Sequence, residues 1–197
     1  DWAIDIKSYA KDISQQIQTT ELRANLGLPV FLYDNKGYAR ARGLEFELIK
    51  RYANFVSGKL NYTVQWANGY SSSAFDDYVR SLNDFPNPIR ERPLDWDVRH
   101  QIIFQMSLAS PENIAPELFG LRLPDNWNIS ILSRFASGQP YTPFTLDPAV
   151  AQKTENSGIA PFTNTTDLKI LKTLKLWGTN LGLFADIFNL FDQKNVQ

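Results

Sequence analysis

Tyr70, Phe75, Asp76, Asp77 and Tyr78 set two carboxylates among aromatic rings, a mixture able to hold a cationic ligand or one with polar and apolar parts. Tyr141 adds a further ring in a second proline-bearing polar stretch. Asp76 and Asp77 could ligate Ca²⁺ together with backbone carbonyls, yet two adjacent carboxylates fall short of a calcium loop, which spreads its oxygen ligands over about twelve residues. His100 is the single histidine and cysteine is absent, which excludes a His-rich or thiolate metal site, a disulfide and a cysteine nucleophile. No Gly-x-Ser-x-Gly elbow accompanies His100. These residues predict ligand binding with no catalysis, no metal and no cofactor.

Composition points to the elements that must carry them. Apolar residues make up 43% and charged residues 21%, both ordinary, whereas 13% aromatic is rich and favours strands and interfaces. Twenty basic residues balance 21 acidic ones, so there is no cationic footprint for nucleic acid. No apolar run reaches the roughly 20 residues of a transmembrane helix. The opening residues lack a basic and apolar signal peptide, which predicts a mature protein or a piece of one.

Apolar residues recur with period two. Val56, Leu60, Tyr62, Val64 and Trp66 face one way and Ser57, Lys59, Asn61, Thr63 and Gln65 the other, over eleven residues. That length matches the roughly 9 to 11 residues of a tilted membrane strand. The same alternation occurs at Trp2–Lys7, Leu44–Leu48, Arg99–Leu108, Trp127–Phe135, Asp167–Leu176 and, less cleanly, Leu181–Phe191, which predicts seven strands in all. Lys172 falls on an apolar face, where a mid-membrane lysine would cost roughly 2 to 4 kcal/mol. It must either snorkel to an interface or lie beside a bulge that resets the register.

Connections alternate in length. Arg51–Asn54 and Trp177–Thr179 are short, while Tyr70–Pro93 and Ser137–Thr166 are long and polar. Outer-membrane barrels have short periplasmic turns and long external loops, so the two long stretches are expected outside. Ser110–Asp125 is the exception, a sixteen-residue link on the short-turn side. Trp2, Trp66, Trp96, Trp127 and Trp177 lie near predicted strand ends, as girdle residues do. The expected fold is therefore all-β: an antiparallel transmembrane β-barrel segment of about seven strands. Lipid satisfies no open edge and bacterial barrels have about eight strands or more, in even number. Residues 1–197 are thus expected to be a partial barrel domain with further strands on both sides. A soluble β-sandwich binding module, whose short strands and polar loops look alike, is the reading from another class.

Several phrases, in order along the chain, resemble the C-terminal barrel portion of TonB-dependent outer-membrane receptors. They are Ser8-Tyr9-Ala10-Lys11-Asp12-Ile13, Asn35-Lys36-Gly37-Tyr38-Ala39-Arg40-Ala41-Arg42-Gly43-Leu44-Glu45-Phe46-Glu47 and Arg92-Pro93-Leu94-Asp95-Trp96-Asp97-Val98-Arg99-His100. Two more are Ser137-Gly138-Gln139-Pro140-Tyr141-Thr142-Pro143 and Asp186-Ile187-Phe188-Asn189-Leu190-Phe191-Asp192. Such barrels usually finish on an aromatic residue, whereas this chain stops at Gln197. The resemblance implies a barrel of about 22 strands in the bacterial outer membrane of a Gram-negative cell. It further implies uptake of a scarce small-molecule, glycan or peptide ligand, with TonB acting through a plug domain that this sequence does not contain and with a surface-exposed partner as an option. A passive porin is the alternative. Tyr70, Phe75, Asp76, Asp77, Tyr78 and Tyr141 would then be external ligand contacts. Glu45, Glu47, Lys59, Arg99 and Arg134 would face the lumen, as ligand path or simply as its wetted wall.

Overall fold

Seven long strands dominate the computed structural model, which describes residues 1–23, 29–82 and 90–195. They are β1 (Trp2–Arg23), β2 (Pro29–Ala53), β3 (Val56–Gly69), β4 (His100–Ser110), β5 (Trp127–Ala136), β6 (Thr163–Leu176) and β7 (Thr179–Ile187). All join one sheet in chain order, and every neighbouring pair is antiparallel. Arg92–Pro93 adds a two-residue strand beside β3. Two small ladders lie apart from the sheet, Glu117–Leu118 with Leu121–Arg122 and Pro140–Tyr141 with Gly158–Ile159. The helices α1 (Ala74–Leu82) and α2 (Pro148–Lys153) sit in the two long connections. No helix of the described residues is long and apolar enough to cross a membrane.

The expectation of an antiparallel all-β sheet of seven strands holds, because an alternating pattern can be satisfied only where the pleat sends neighbours to opposite faces. Register carries the alternation across the whole sheet. One row runs Trp2, Lys50, Gly58, Met106, Ile131, Leu168, Ile187. The row beside it on the same face runs Ile4, Leu48, Leu60, Phe104, Ser133, Thr166. The other face has Lys7, Glu45, Thr63, Gln101, Ala136, Thr163. Ser133 on the apolar face escaped the sequence pattern, and its hydroxyl is matched across the ladder by that of Thr166 at 2.9 Å.

The apolar face is uncovered. Ile4 is 64% exposed and Ile6 68%, with Trp2, Leu44, Leu181 and Leu183 also exposed. Among the described residues the buried apolar ones are Ala39, Ala41, Ala67 and Leu94, against which Tyr9 and Ile13 rest. Register places those alanines with Gly43 and Gln65, on the polar face. The small core thus lies on the side opposite the apolar band.

The two ends of the sheet differ. At one end, Asn54 and Phe55 link β2 to β3 and Trp177 and Gly178 link β6 to β7, all four with positive φ. A pair of positive φ values is what a type I′ turn demands, and that turn's twist matches the strands it joins. Lys172 shows no register break beside it. Its ammonium instead reaches back to the Asp125 carbonyl and lies 3.9 Å from the Asp125 carboxylate, so no bulge resets the strand there and the side chain bends towards the turn end of the sheet. The Ser110–Asp125 link is partly spent on the small hairpin at 117–122, which accounts for its length.

At the opposite, loop end, β1 and β2 outrun β3. Their pairing passes Ile13–Ala39, shifts register around Gln15 (φ 59°) and continues to Arg23–Pro29 as a two-stranded ribbon. The eight residues Gln16–Arg23 make it about 27 Å long. Helix α1 steadies it: the Thr19 hydroxyl donates to the Ala74 carbonyl at 2.9 Å, and Phe31 meets Tyr78 edge to face at 5.0 Å. The expected final strand ends early, at Ile187, and Asn189-Leu190-Phe191 lies beyond it. There the Leu190 N–H donates to the Thr166 carbonyl and the Asn195 side chain brackets the backbone of Asn164.

Gly43 pairs directly with Tyr9, whose ring lies over it; a Cβ there would sit 2.6 Å from the Tyr9 hydroxyl and 2.7 Å from the Val64 carbonyl. Gly43→Val should cost about 1 to 3 kcal/mol by overfilling. Urea unfolding of the folded protein measures this, and an unchanged midpoint would refute the close fit.

Candidate functional site

Side chains able to bind something gather on the polar face and at the loop end. Near the middle of β1–β3, Asp5, Lys7, Glu45, Glu47, Asn61 and Thr63 line a shallow cleft. Lys59 bonds Glu47 at 2.7 Å and Lys7 bonds Asp5 at 2.8 Å, so of the three carboxylates Glu45 alone lacks a cation at bonding distance among the described residues. Glu45, Glu47 and Lys59, each predicted from the alternation, therefore form one cluster. Arg134 stands apart on β5, tied to Asp167 at 3.0 Å, and helps to line a second cleft with Gln101, Ile103, Thr163, Thr165 and Asn195.

Arg99 has a different setting. It lies just before β4, where the chain leaves regular pairing, and its guanidinium donates to Asp97 at 2.8 Å and approaches the Trp66 ring to 5.5 Å. Asp97 itself is buried. One of its carboxylate oxygens accepts the Ala67 N–H at 2.9 Å, a donor that a regular β4 carbonyl would otherwise take. The carboxylate thus extends the β3 ladder by one bond past the end of its pairing with β4, while Arg99 supplies the charge that burial demands. Leu94 and Asp97 enter the sequence reading only as part of the Arg92–His100 phrase and Asn156 not at all, because nothing in these residue types reports that the chain bends inward there.

The aromatics of the two long connections separate into groups. Phe75 and Tyr78, with ring centres 6.3 Å apart, sit on α1 beside Phe31, and Phe75 is 69% exposed. Asp76 and Asp77 belong to the same helix, but their side chains lie outside the described residues. Tyr70 sits at the end of β3, its N–H donating to the Tyr38 carbonyl and its ring 6.4 Å from that of Tyr38. Tyr141 lies over Gly158 in the other long connection, with no ring contact to the rest among the described residues. On the ribbon, Lys36 and the Asn35 amide hold the Asp34 carboxyl below the usual carboxylate range.

Hydrogen bonds, ion pairs and ring stacking are what this arrangement can offer a ligand. His100 stacks on Tyr62 and shares a 2.9 Å hydrogen bond with it, while Ser137 takes the His100 backbone N–H and not the ring. Among the described residues no three His, Cys, Asp or Glu side chains converge as a metal site would require. Comparison with family models, curated proteins and solved structures finds no match.

Asp97→Ala strands both the Ala67 N–H and the Arg99 guanidinium and should cost about 2 to 4 kcal/mol. Asp97→Asn keeps an acceptor for Ala67 and should cost less. Paired unfolding curves test the order, and equal losses would show that the backbone bond contributes nothing.

Proposed function

We propose that this sheet is wall from a closed transmembrane barrel in the bacterial outer membrane, and that the whole protein is a TonB-dependent receptor importing a scarce ligand. The carrying observation is the uncovered apolar face. Left in water, each large apolar side chain on it forgoes about 1.5 to 3 kcal/mol of burial, and lipid is the surrounding that restores this without a second protein layer. A sandwich would need that face as its interior, whereas the buried cluster of Ala39, Ala41, Ala67 and Leu94 is on the other one.

The limits of the band support the same reading. On β2 it is bracketed by Arg42 and Lys50, eight residues apart, or about 27 Å along the strand, close to the roughly 25 Å apolar belt of outer-membrane barrels. Lys50 reaches the Ala53 and Val56 carbonyls at 3.0 and 2.9 Å. Lys50 and Lys172 thus share one solution, an apolar-face lysine whose ammonium is delivered to backbone oxygens at the turn end. Trp2, Trp127 and Trp177 belong to that end and Trp66 and Trp96 to the other, as two aromatic girdles would.

Closure sets a further requirement. With seven antiparallel strands, β1 and β7 run in the same direction, so joining them directly would create a parallel pair. An odd number of further strands between them gives an all-antiparallel barrel. In this reading the polar face lines the lumen, where Glu45, Glu47, Lys59 and Arg134 meet water, plug or ligand. The ribbon with Phe75 and Tyr78, together with Tyr70 and Tyr141, stands outside to meet a small-molecule, glycan or peptide ligand. TonB would act through a plug domain carried elsewhere in the protein, and no cofactor is needed.

Two adjacent substitutions on β3 test the proposal. Leu60→Arg, at mid-band, should cost about 2 to 4 kcal/mol in lipid vesicles and reduce heat-modifiable, membrane-inserted protein, whereas Asn61→Arg should leave both nearly unchanged. Tolerance of Leu60→Arg, or a folded protein soluble without detergent, would sink the membrane assignment.

A further inference from the structure

Residues 92–99 do not stand away from the sheet. Leu94, 1% exposed, presses onto the polar face against Ala39 and Ala67, and its N–H donates to the Ala67 carbonyl at 3.0 Å. The second long connection comes down over this strap. The Asn156 side-chain nitrogen donates to the Pro93 carbonyl at 2.8 Å and to Asp95 Oδ1 at 2.7 Å, while its backbone N–H donates to the Thr142 hydroxyl at 3.1 Å. Arg92 and Glu155 add an ion pair at 2.5 Å, with little of either side chain exposed. Asp95 in turn donates its N–H to the Ser72 hydroxyl at 2.9 Å.

Three stretches far apart in sequence are therefore tied at Asp95 and Asn156. Asparagine suits the post: its amide offers two N–H donors on one atom, and it tolerates the positive φ of 54° found there. The base of the second connection is itself tight, since a Cβ on Gly138 would fall 1.5 Å from the Ala160 carbonyl oxygen. A strap anchored by a buried leucine beneath and an amide clasp above has little freedom to swing.

We propose that residues 92–97, clasped by Asn156 and the Arg92–Glu155 pair, form a fixed constriction over the polar-lined passage at its loop end, excluding solutes by size. This rests on the barrel reading and adds to it: residues 92–97 and the described stretch around Asn156 act as one body, held by the Asn156 amide together with the Arg92–Glu155 pair.

The test uses the intact outer-membrane protein in proteoliposomes. The present chain has no cysteine, so Thr63→Cys on the polar face gives it one reporter thiol. With Asn156→Ala, amide exchange in both 92–97 and 154–158 should rise about tenfold or more. Labelling of the reporter by a bulky polyethylene-glycol maleimide should rise at least as much, with little change for a small maleimide. Asp95→Ala, a milder cut, should move both readouts the same way and serves if Asn156→Ala fails to assemble. Exchange rising in one connection alone, an unchanged rate for the bulky reagent, or a thiol closed to both reagents would overturn the constriction. Failure of the parent protein to insert in membranes would instead overturn the barrel reading.

Discussion

Everything in this sheet hangs on register. A strand sends alternate side chains to opposite faces, so a one-residue slip in any of six pairings would invert every strand beyond it. The rows show no such inversion from Trp2 to Ile187. Where shifts occur, around Gln15 and between Lys50 and Ala53, they lie beyond the apolar band, on the ribbon and at a turn. Tight I′ turns, ladder hydrogen bonds and the Ser133–Thr166 pair all serve to keep that phase.

Much of this was legible because it is periodic. Val56–Trp66 announces both its conformation and its two faces, and the short links at Asn54 and Trp177 announce hairpins. What was illegible is local and aperiodic. The ribbon beyond Ile13 has no clean alternation, since Val30, Phe31, Leu32 and Tyr33 put apolar groups on both faces, Phe31 against α1 and Val30 and Leu32 exposed on the other. Helix α1 was hidden in a polar stretch, and its partners Thr19 and Phe31 come from two strands, β1 and β2, far off in sequence. Asn189-Leu190-Phe191 has strand-like composition, yet it leaves the strand, its Leu190 N–H bonded to the Thr166 carbonyl and its Asn189 N–H to the Asp167 carboxylate of β6.

The candidate site divides in the same way. Glu45, Glu47, Lys59 and Arg134 could be found from alternation alone, because facing is a property of position in a strand. Asp97 and Asn156 could not, because their roles come from groups they meet across 30 to 63 residues of sequence. Asp97 replaces a missing ladder carbonyl and Asn156 clasps a neighbouring connection; both meet backbone polar groups for which regular strands leave no partner.

The meander carries a consequence for how such a wall is assembled. Each strand bonds only to the strands before and after it in the chain, so no long stretch must be threaded past another before pairing begins. Hairpins can be added one after another, each leaving a fresh edge as template for the next, and in the closed barrel we propose only the final seam would have to find a partner distant in sequence. Growth of this kind would confine the entropic cost of a large loop to a single step, the joining of the first edge to the last.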